Sequence, residues 1–557
     1  MSQIINNKKF LGYLSRTELW NYIEDVADFF ENLISPMLGP HGNWKLIIDC
    51  EGESVITSCG GLLLEFLKHR AFKSPLARIF VQEGLSHDKI TGDGTKYLLL
   101  LSSMLIKKGI HLIRSGLAIS EIIEGYKIAT ELAIHNLENL SSVTLHKLCS
   151  KEGKTDSGEI MYNLFLTTIP MDIPYERVLE ELCRYLSTLY IRYGISHLSD
   201  EDIFVVNLSS GSAADSTLLS GLLIEKSLES TKNNLTIEHP NIVILRKPYG
   251  IMRGDRNKRP SLKDIELPYN LIVSDPLQLK RYLWEENNIM NTYVDLLKKY
   301  NAQALFTGGK LNKKIVSRLK SENILVFEGL NEKVLKAISK VSGARLISTI
   351  DDLSSRDIGH AEKIGIIDLG SEKYYLIKPR NNINLPITVV LKGTKYFSKN
   401  AEHYVRKLRL LYNTITERLA PIPAGGASEV YLAMKIRGLL YKYPSKLQIS
   451  INTYADILER LAMILILNMG LDPLETLSKL RSIHVSTNGE MYGIDAFTRL
   501  ISDMINIRKL EHYEIKKKVL LKAYELAKTV LRLNMILFHR QEMEEVPSKI
   551  GKRYVNI

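Results

Sequence analysis

The run from Thr91 to Leu101, TGDGTKYLLLL, sets a carboxylate, Asp93, between Gly92 and Gly94, then supplies Thr95, Lys96 and four leucines. Those residue types suit an anionic ligand. Glycines let the backbone approach phosphate oxygens, the first turn of a following helix offers oriented N–H groups, and a lone carboxylate can hold Mg²⁺ bridging the phosphates. On Gly-Asp-Gly-Thr alone, the plainer reading prevails: a helix-entry turn capped by Asp93 or Thr95. Further features must outweigh it. Leu38-Gly39-Pro40-His41-Gly42 ends one helical run, and Pro423-Ala424-Gly425-Gly426-Ala427 opens another. Gly493-Ile494-Asp495 and Ile501-Ser502-Asp503-Met504 complete an ordered set. Neither a P-loop G-x-x-x-x-G-K-[ST] nor a kinase motif set occurs, which argues against those enzymes.

These turns need helices to hold them. TELWNYIEDVADFFENLISPML, YLLLLSSMLIKKGIHLIRSGL and SEIIEGYKIATELAIHNLENL place apolar residues at i, i+3, i+4 and i+7, which predicts helices over most of 17–145. GNWKLIID and SVITSCGG read as strands of a small hairpin beside the Gly39 turn. From about 205 to 365 the texture changes: IFVVNL, IVILRKP, LIVSD, QALFTGG, ILVFEGL and RLISTI alternate with helical runs, which predicts a separate α/β domain. Pro248 to Pro268, polar and basic, reads as a long surface excursion. Helices return after about 397, so the α/β part is inserted into a helical whole.

Composition sets outer limits. A chain of 557 residues is too long for one core, and 45% hydrophobic with 24% charged residues is ordinary for a packed protein. The net charge of +12 is spread along the chain with only short clusters such as Lys516-Lys517-Lys518, so a solvated surface is expected and no nucleic-acid partner. Cys50, Cys59, Cys149 and Cys183 show no metal or redox spacing, which suits a reducing compartment. The first twenty residues hold no signal-peptide core and no window approaches 18 uninterrupted apolar residues, so a cytoplasmic chain without a membrane segment is expected.

Taken in order, LGPHGNWKLIID, SPLARIFVQEGLSHDKITGDGTKYLLLL, GLAISEIIEGYKIA, NAQALFTGGKL, IGHAEKI, PAGGASEVYLA and YGIDAF resemble the group II chaperonins, ATP-driven double-ring protein-folding machines, over about residues 17–540. GLAISEIIEGYKIA and TGGKL look most like the theta subunit of the eukaryotic cytosolic chaperonin. The resemblance implies a multidomain α+β subunit. A helical equatorial ATP-binding domain would span 1–145 and 397–557, an intermediate hinge domain 146–208 and 366–396, and an inserted α/β apical client-binding domain 209–365. It implies ATP and Mg²⁺ as ligands, with Asp93 on the metal. Leu38, Gly39 and Pro40 would line the nucleotide, Gly92, Gly94, Thr95 and Lys96 the phosphates, Gly425 and Gly426 the underside of the ribose, and Asp503 would accept from the sugar hydroxyls. Partners would be other chaperonin subunits in a double ring and unfolded protein clients. Lys313, Lys314 and Arg318 fall on a helix that borders the client groove in the family, though a solvated face explains them equally.

Two further family carboxylates are replaced. Cys59 stands at the aspartate of the turn after the first hairpin, and an ungapped count from PAGGA puts Lys407 at the aspartate that orients the attacking water. Neither a thiol nor an ammonium accepts a proton from water as a carboxylate does, and positioned general-base catalysis contributes roughly 10² to 10⁴ in rate. The implied subunit therefore binds ATP with no catalytic residue of its own at these positions and weak or absent hydrolysis. The alternative is a chaperonin-like, non-hydrolysing adaptor or assembly factor outside the ring. Cys59 reads as a small buried hydrophobe, with no His or Lys near it in sequence to activate it; His41 reads as a solvent-facing turn residue, and Glu417 and Arg418 as capping or pairing residues.

Overall fold

A helix that is apolar on nearly every side must be buried on nearly every side. Thr95–Arg114 is such a helix: Leu98 to Ile106 are buried, and it packs against Arg16–Ile34, Ser445–Asn468 and Tyr513–Leu531. The computed structural model describes residues 10–13, 16–48, 54–69, 74–150, 157–170, 173–225, 236–246, 276–348, 350–370, 372–380, 385–486 and 489–539. The expected excursion at 248–268 and the LIVSD strand lie outside them. The chain divides into two compact units, 1–173 with 406–557, and 174–405.

In the first unit the long helix Ile119–Ser150 and the helix Ala427–Gly438 both pack on Ser445–Asn468, so sequence-distant segments close one helical core. The expected hairpin is present: Lys45–Ile48 pairs antiparallel with Ser54–Thr57, Leu46 opposite Ile56. Two short ribbons sit in the same unit, Pro421–Pro423 with Leu510–His512, and Tyr492–Ile494 with Ile501–Asp503. No helix is long and apolar enough to cross a membrane among the described residues.

The second unit holds a sheet in the order Leu325–Phe327, Ala304–Thr307, Asn241–Leu245, Leu346–Ile347, all parallel, with Gly359–His360 added antiparallel to Asn241–Leu245. Ala304–Thr307 is buried at every position, as a parallel strand covered on both faces must be. Phe306 and Leu335 lie in one core cluster and Leu305, Leu297 and Ile315 in the other, so helices Pro276–Lys299, Lys313–Ser321 and Glu332–Ser342 supply apolar faces to both sides. A four-stranded antiparallel sheet runs Leu222–Glu225, Glu372–Lys378, Lys363–Leu369, Ile237–Glu238, and a three-stranded one joins Ile203–Leu208, Ile387–Lys392 and Thr217–Ser220.

Two histidines of the first unit are buried in the neutral form. Desolvation lowers both His87 and His512 to about 4 from the ordinary 6.5, and His512 Nε2 donates to the Arg418 carbonyl at 2.9 Å. The unfolded chain takes up protons at these rings below about 6.5, while the folded chain does so only near 4. Stability is therefore lost as pH falls through that window, by roughly 3 kcal/mol for each ring across the whole of it. Urea midpoints at pH 7 and pH 5 test this: a clear drop is expected, and equal midpoints contradict it.

Candidate functional site

The helix Pro75–Thr91 begins where Ser74 Oγ accepts from the Ala77 N–H at 3.1 Å and Pro75 takes the first position; it ends where Gly92 turns left-handed, φ +71°. Two residues on, Gly94 at φ +83° is the N-cap of Thr95–Arg114. Asp93 is thus held between two left-handed residues. Room is scarce as well: a Cβ on Gly92 would lie 3.0 Å from the Lys407 carbonyl oxygen, and one on Gly94 2.9 Å from Val519 Cγ2. Thr91 Oγ1 bridges the His87 and Asp93 carbonyls at 2.8 Å each and closes the turn. Gly425 and Gly426 repeat the device at φ +66° and +79° ahead of Ala427–Gly438, and Gly39 at φ +85° follows the short helix Ser35–Met37. Side chains other than glycine seldom adopt such angles.

The three turns converge. A Cβ on Gly39 would meet Leu465 Cδ1 at 2.4 Å, and one on Gly426 would lie 3.8 Å from Leu465 Cδ2, so this one leucine touches both. Lys96 Nζ donates to the Met37 carbonyl at 2.7 Å and joins the second turn to the first. Gly60 abuts the Lys96 stem, which brings Cys59 alongside. Asn468 Nδ2 donates to the Ser35 and Leu38 carbonyls at 2.8 Å each, fixing the chain before half-buried Gly39 and Pro40. Asp503 adjoins Met504, whose sulfur stands 3.1 Å from a Cβ on Gly425. Its carboxylate already accepts from the Ile505 N–H at 2.9 Å, the Asn506 N–H at 3.3 Å and Asn506 Nδ2 at 2.8 Å, so it orders its own turn.

The charges are arranged around Asp93. Lys407, buried on the helix Lys395–Glu417, donates from Nζ to Asp93 Oδ1 at 2.9 Å. Burial pushes the Asp93 carboxyl up, but the Lys407 charge and hydrogen bond, the Gly94 N–H and Lys96 outweigh it and hold the pKa below its ordinary value. Lys96 moves down to about 8, first through burial and then through the Lys407 charge, while Cys59 and Asp93 pull it up. Beneath this layer Arg406 bridges Glu65 at 3.0 Å and the buried Asp88 at 2.6 Å, and Thr95 Oγ1 donates to Asp88 Oδ1 at 3.3 Å. A Cβ on Gly61 would strike Asp88, so the glycine pair after Cys59 makes room for this bridge.

A second buried cluster fastens two of the turns together. Lys516 pairs with Glu429, in the first turn after Gly426, and with Glu511 at 2.6 Å; it donates to Ser428 Oγ at 2.8 Å and lies 4.9 Å from the centre of the Tyr97 ring, next to Lys96. Burial opposes each charge here, yet Lys516 outweighs it at Glu429, whose pKa falls, and the two carboxylates outweigh it at Lys516, whose pKa rises. Glu511 is raised, by burial and then despite Lys516, with the Glu429 charge adding to the rise.

Chemically, left-handed glycines, a helix N-terminus and two ammonium groups suit a polyphosphate. Magnesium is another matter. It demands near-octahedral oxygen ligands, usually one or two carboxylates with waters and phosphates. Here the positions where the resemblance puts two more carboxylates hold Cys59 and Lys407, and Lys407 occupies one oxygen of Asp93. The residues present fit the phosphates and do not fit the metal.

Spacing in the sequence missed several of these partners. Lys96 reaches Cys59 through the fold although no lysine lies near it in the chain; Cys59 is buried and its N–H donates to Thr57 Oγ1 at 2.9 Å. His41 is not solvent-facing: it is half-buried and its Nε2 donates to the Ala496 carbonyl at 2.7 Å. Arg418 pairs, as read, with Glu138 at 3.0 Å and Glu514 at 3.5 Å. Leu465 and Asn468 carried no signal, since the apolar run around them reads simply as core.

Comparison with known proteins agrees with this geometry. Residues 30–541 match the TCP-1/cpn60 chaperonin family. The chain is 27% identical to the thermosome subunit gamma of Saccharolobus solfataricus over 522 residues, covering 91% of this chain and 92% of that protein. It is 26% identical to the thermosome subunit beta of Sulfolobus acidocaldarius over 514 residues, 91% and 88%, and 25% identical to the thermosome subunit beta of Thermoplasma acidophilum over 520 residues, 92% and 91%. The match spans both compact units and every glycine turn of the site, and the chain belongs to the TCP-1/cpn60 chaperonin family.

Proposed function

We propose that this chain is a subunit of a hetero-oligomeric, double-ring cytosolic chaperonin, closest in role to the theta subunit, that binds ATP at its three glycine turns and hydrolyses it weakly or not at all. The observation that carries the reading is the convergence of Gly39, Gly92 to Lys96 and Gly425-Gly426 on one region, with Lys407 standing on Asp93 where a water-orienting carboxylate is implied. Leu38 and Pro40 border the nucleotide, and Asp503 offers its remaining lone pairs to the sugar.

The division of labour follows the implied domains: equatorial over 1–145 and 397–557, intermediate over 146–208 and 366–396, apical over 209–365. The equatorial part gives nucleotide binding and ring contacts, and the apical part holds unfolded clients. A subunit of low turnover works in such an assembly because neighbours that hydrolyse ATP shift states shared by the whole ring. Sizing the chain as purified from its own cells tests this. Co-elution with other chaperonin subunits at ring mass is the expected result, and a free monomer overturns it in favour of an adaptor outside the ring.

A further inference from the structure

We propose that Lys407 is a built-in counter-ion that replaces the divalent metal, so that this site takes ATP itself, without magnesium. The inference rests on the reading of the three turns as an ATP site and specifies which ionic form they select.

Placement comes first. The Lys407 backbone lies directly under the phosphate turn, its carbonyl oxygen 3.0 Å and its Cα 3.1 Å from a Cβ on Gly92, so its side chain has a short path to Asp93. Its ammonium is buried and 2.9 Å from Asp93 Oδ1, and the neighbouring Arg406 is anchored to Asp88 and Glu65, which fixes the register of this helix turn. The cation therefore stands beside the carboxylate before any ligand arrives.

Charge then decides the ligand. Lys96, Lys407 and Asp93 together leave the cradle with one net positive charge. Aspartates at 59 and 407 would instead make it net negative by two, and a triphosphate could enter only with a divalent cation to bridge like charges. The ammonium reverses both parts of that logic: it attracts phosphate oxygens directly, and it repels a metal ion from Asp93. Magnesium offered with ATP has to give up carboxylate ligation and face a fixed cation, and it gains nothing that Lys407 does not already supply.

The test is equilibrium binding of radiolabelled ATP to the full chain, in magnesium and in EDTA, for the natural protein and for Lys407→Asp and Lys407→Met, each checked for folding by circular dichroism. The natural chain is expected to bind with affinities that differ by less than about threefold between the two conditions. Lys407→Met is expected to lose roughly 10- to 100-fold in EDTA, the loss of one charge-assisted contact. Lys407→Asp is expected to bind only when magnesium is present. Binding of the natural chain only with magnesium overturns the counter-ion and leaves the ATP site standing, whereas no binding in either condition overturns the ATP site and the inference with it. If Lys407→Asp does not fold, the natural chain and Lys407→Met decide the matter.

Discussion

Replacing Cys59 and Lys407 together by aspartate raises ATP hydrolysis by about 10² to 10⁴-fold in the presence of magnesium, the usual contribution of a positioned general base. The scaffold for that gain is already in place. Asp93 sits between two left-handed glycines, Lys96 is tied to the Met37 carbonyl, and Arg406 holds the helix turn next to position 407. What is lacking is a group able to orient and deprotonate water, and an ammonium 2.9 Å from Asp93 does the opposite by donating. Lys407→Asp also opens the Asp93 oxygen to a metal, and Cys59→Asp sets a second carboxylate beside Lys96. Phosphate release by the double variant and the natural chain, both with magnesium, measures the effect. Unchanged rates, or a natural chain already as fast as the variant, contradict it.

Lys516→Met lowers the stability of the first unit by roughly 3 to 5 kcal/mol, because removing the ammonium strands the buried Glu429 carboxylate. Glu429 and Lys516 are both buried, whereas Glu511 is partly open to solvent, so Glu429 is the charge left without a partner. The loss reaches the site, since Tyr97 and Glu429 lie in the first turns after Gly94 and Gly426. Nucleotide affinity should weaken along with the first denaturant transition. Lys516→Met with Glu429→Gln should recover part of the stability by removing the stranded charge. A shift below about 1 kcal/mol in the single variant would show that the cluster is open to solvent.

Much of this was legible in the chain. TGDGTKYLLLL announces a glycine turn and a strongly apolar helix because glycine spacing and unbroken leucines are local properties; the helix begins at Thr95, two residues before the run read as helical, and its N-cap is Gly94 rather than Asp93 or Thr95. QALFTGG and ILVFEGL read as strands for the same reason and form Ala304–Thr307 and Leu325–Phe327. EKYYLIK did not, since charged ends and paired tyrosines give no clean alternation; its place between Leu222–Glu225 and Lys363–Leu369 makes it a strand.

At the site, counting back from PAGGA reached position 407 but could not say what its lysine touches. That contact joins residues 314 positions apart and depends on how a helix packs under a turn. The Lys96 to Cys59 proximity, the Leu465 bridge and the Arg406 anchor belong to the same class. Local pattern carries the cradle, while the ions that set its chemistry are assigned only by tertiary packing.

A nucleotide cradle that holds ATP without turning it over shows itself in the chemical identity of what stays bound. The purified chain is mixed with radiolabelled ATP, and bound nucleotide is quenched and separated over time beside the Cys59→Asp, Lys407→Asp variant. The natural chain is expected still to carry intact ATP after the variant has converted its own to ADP. Recovery of ADP from the natural chain at the variant's pace contradicts it.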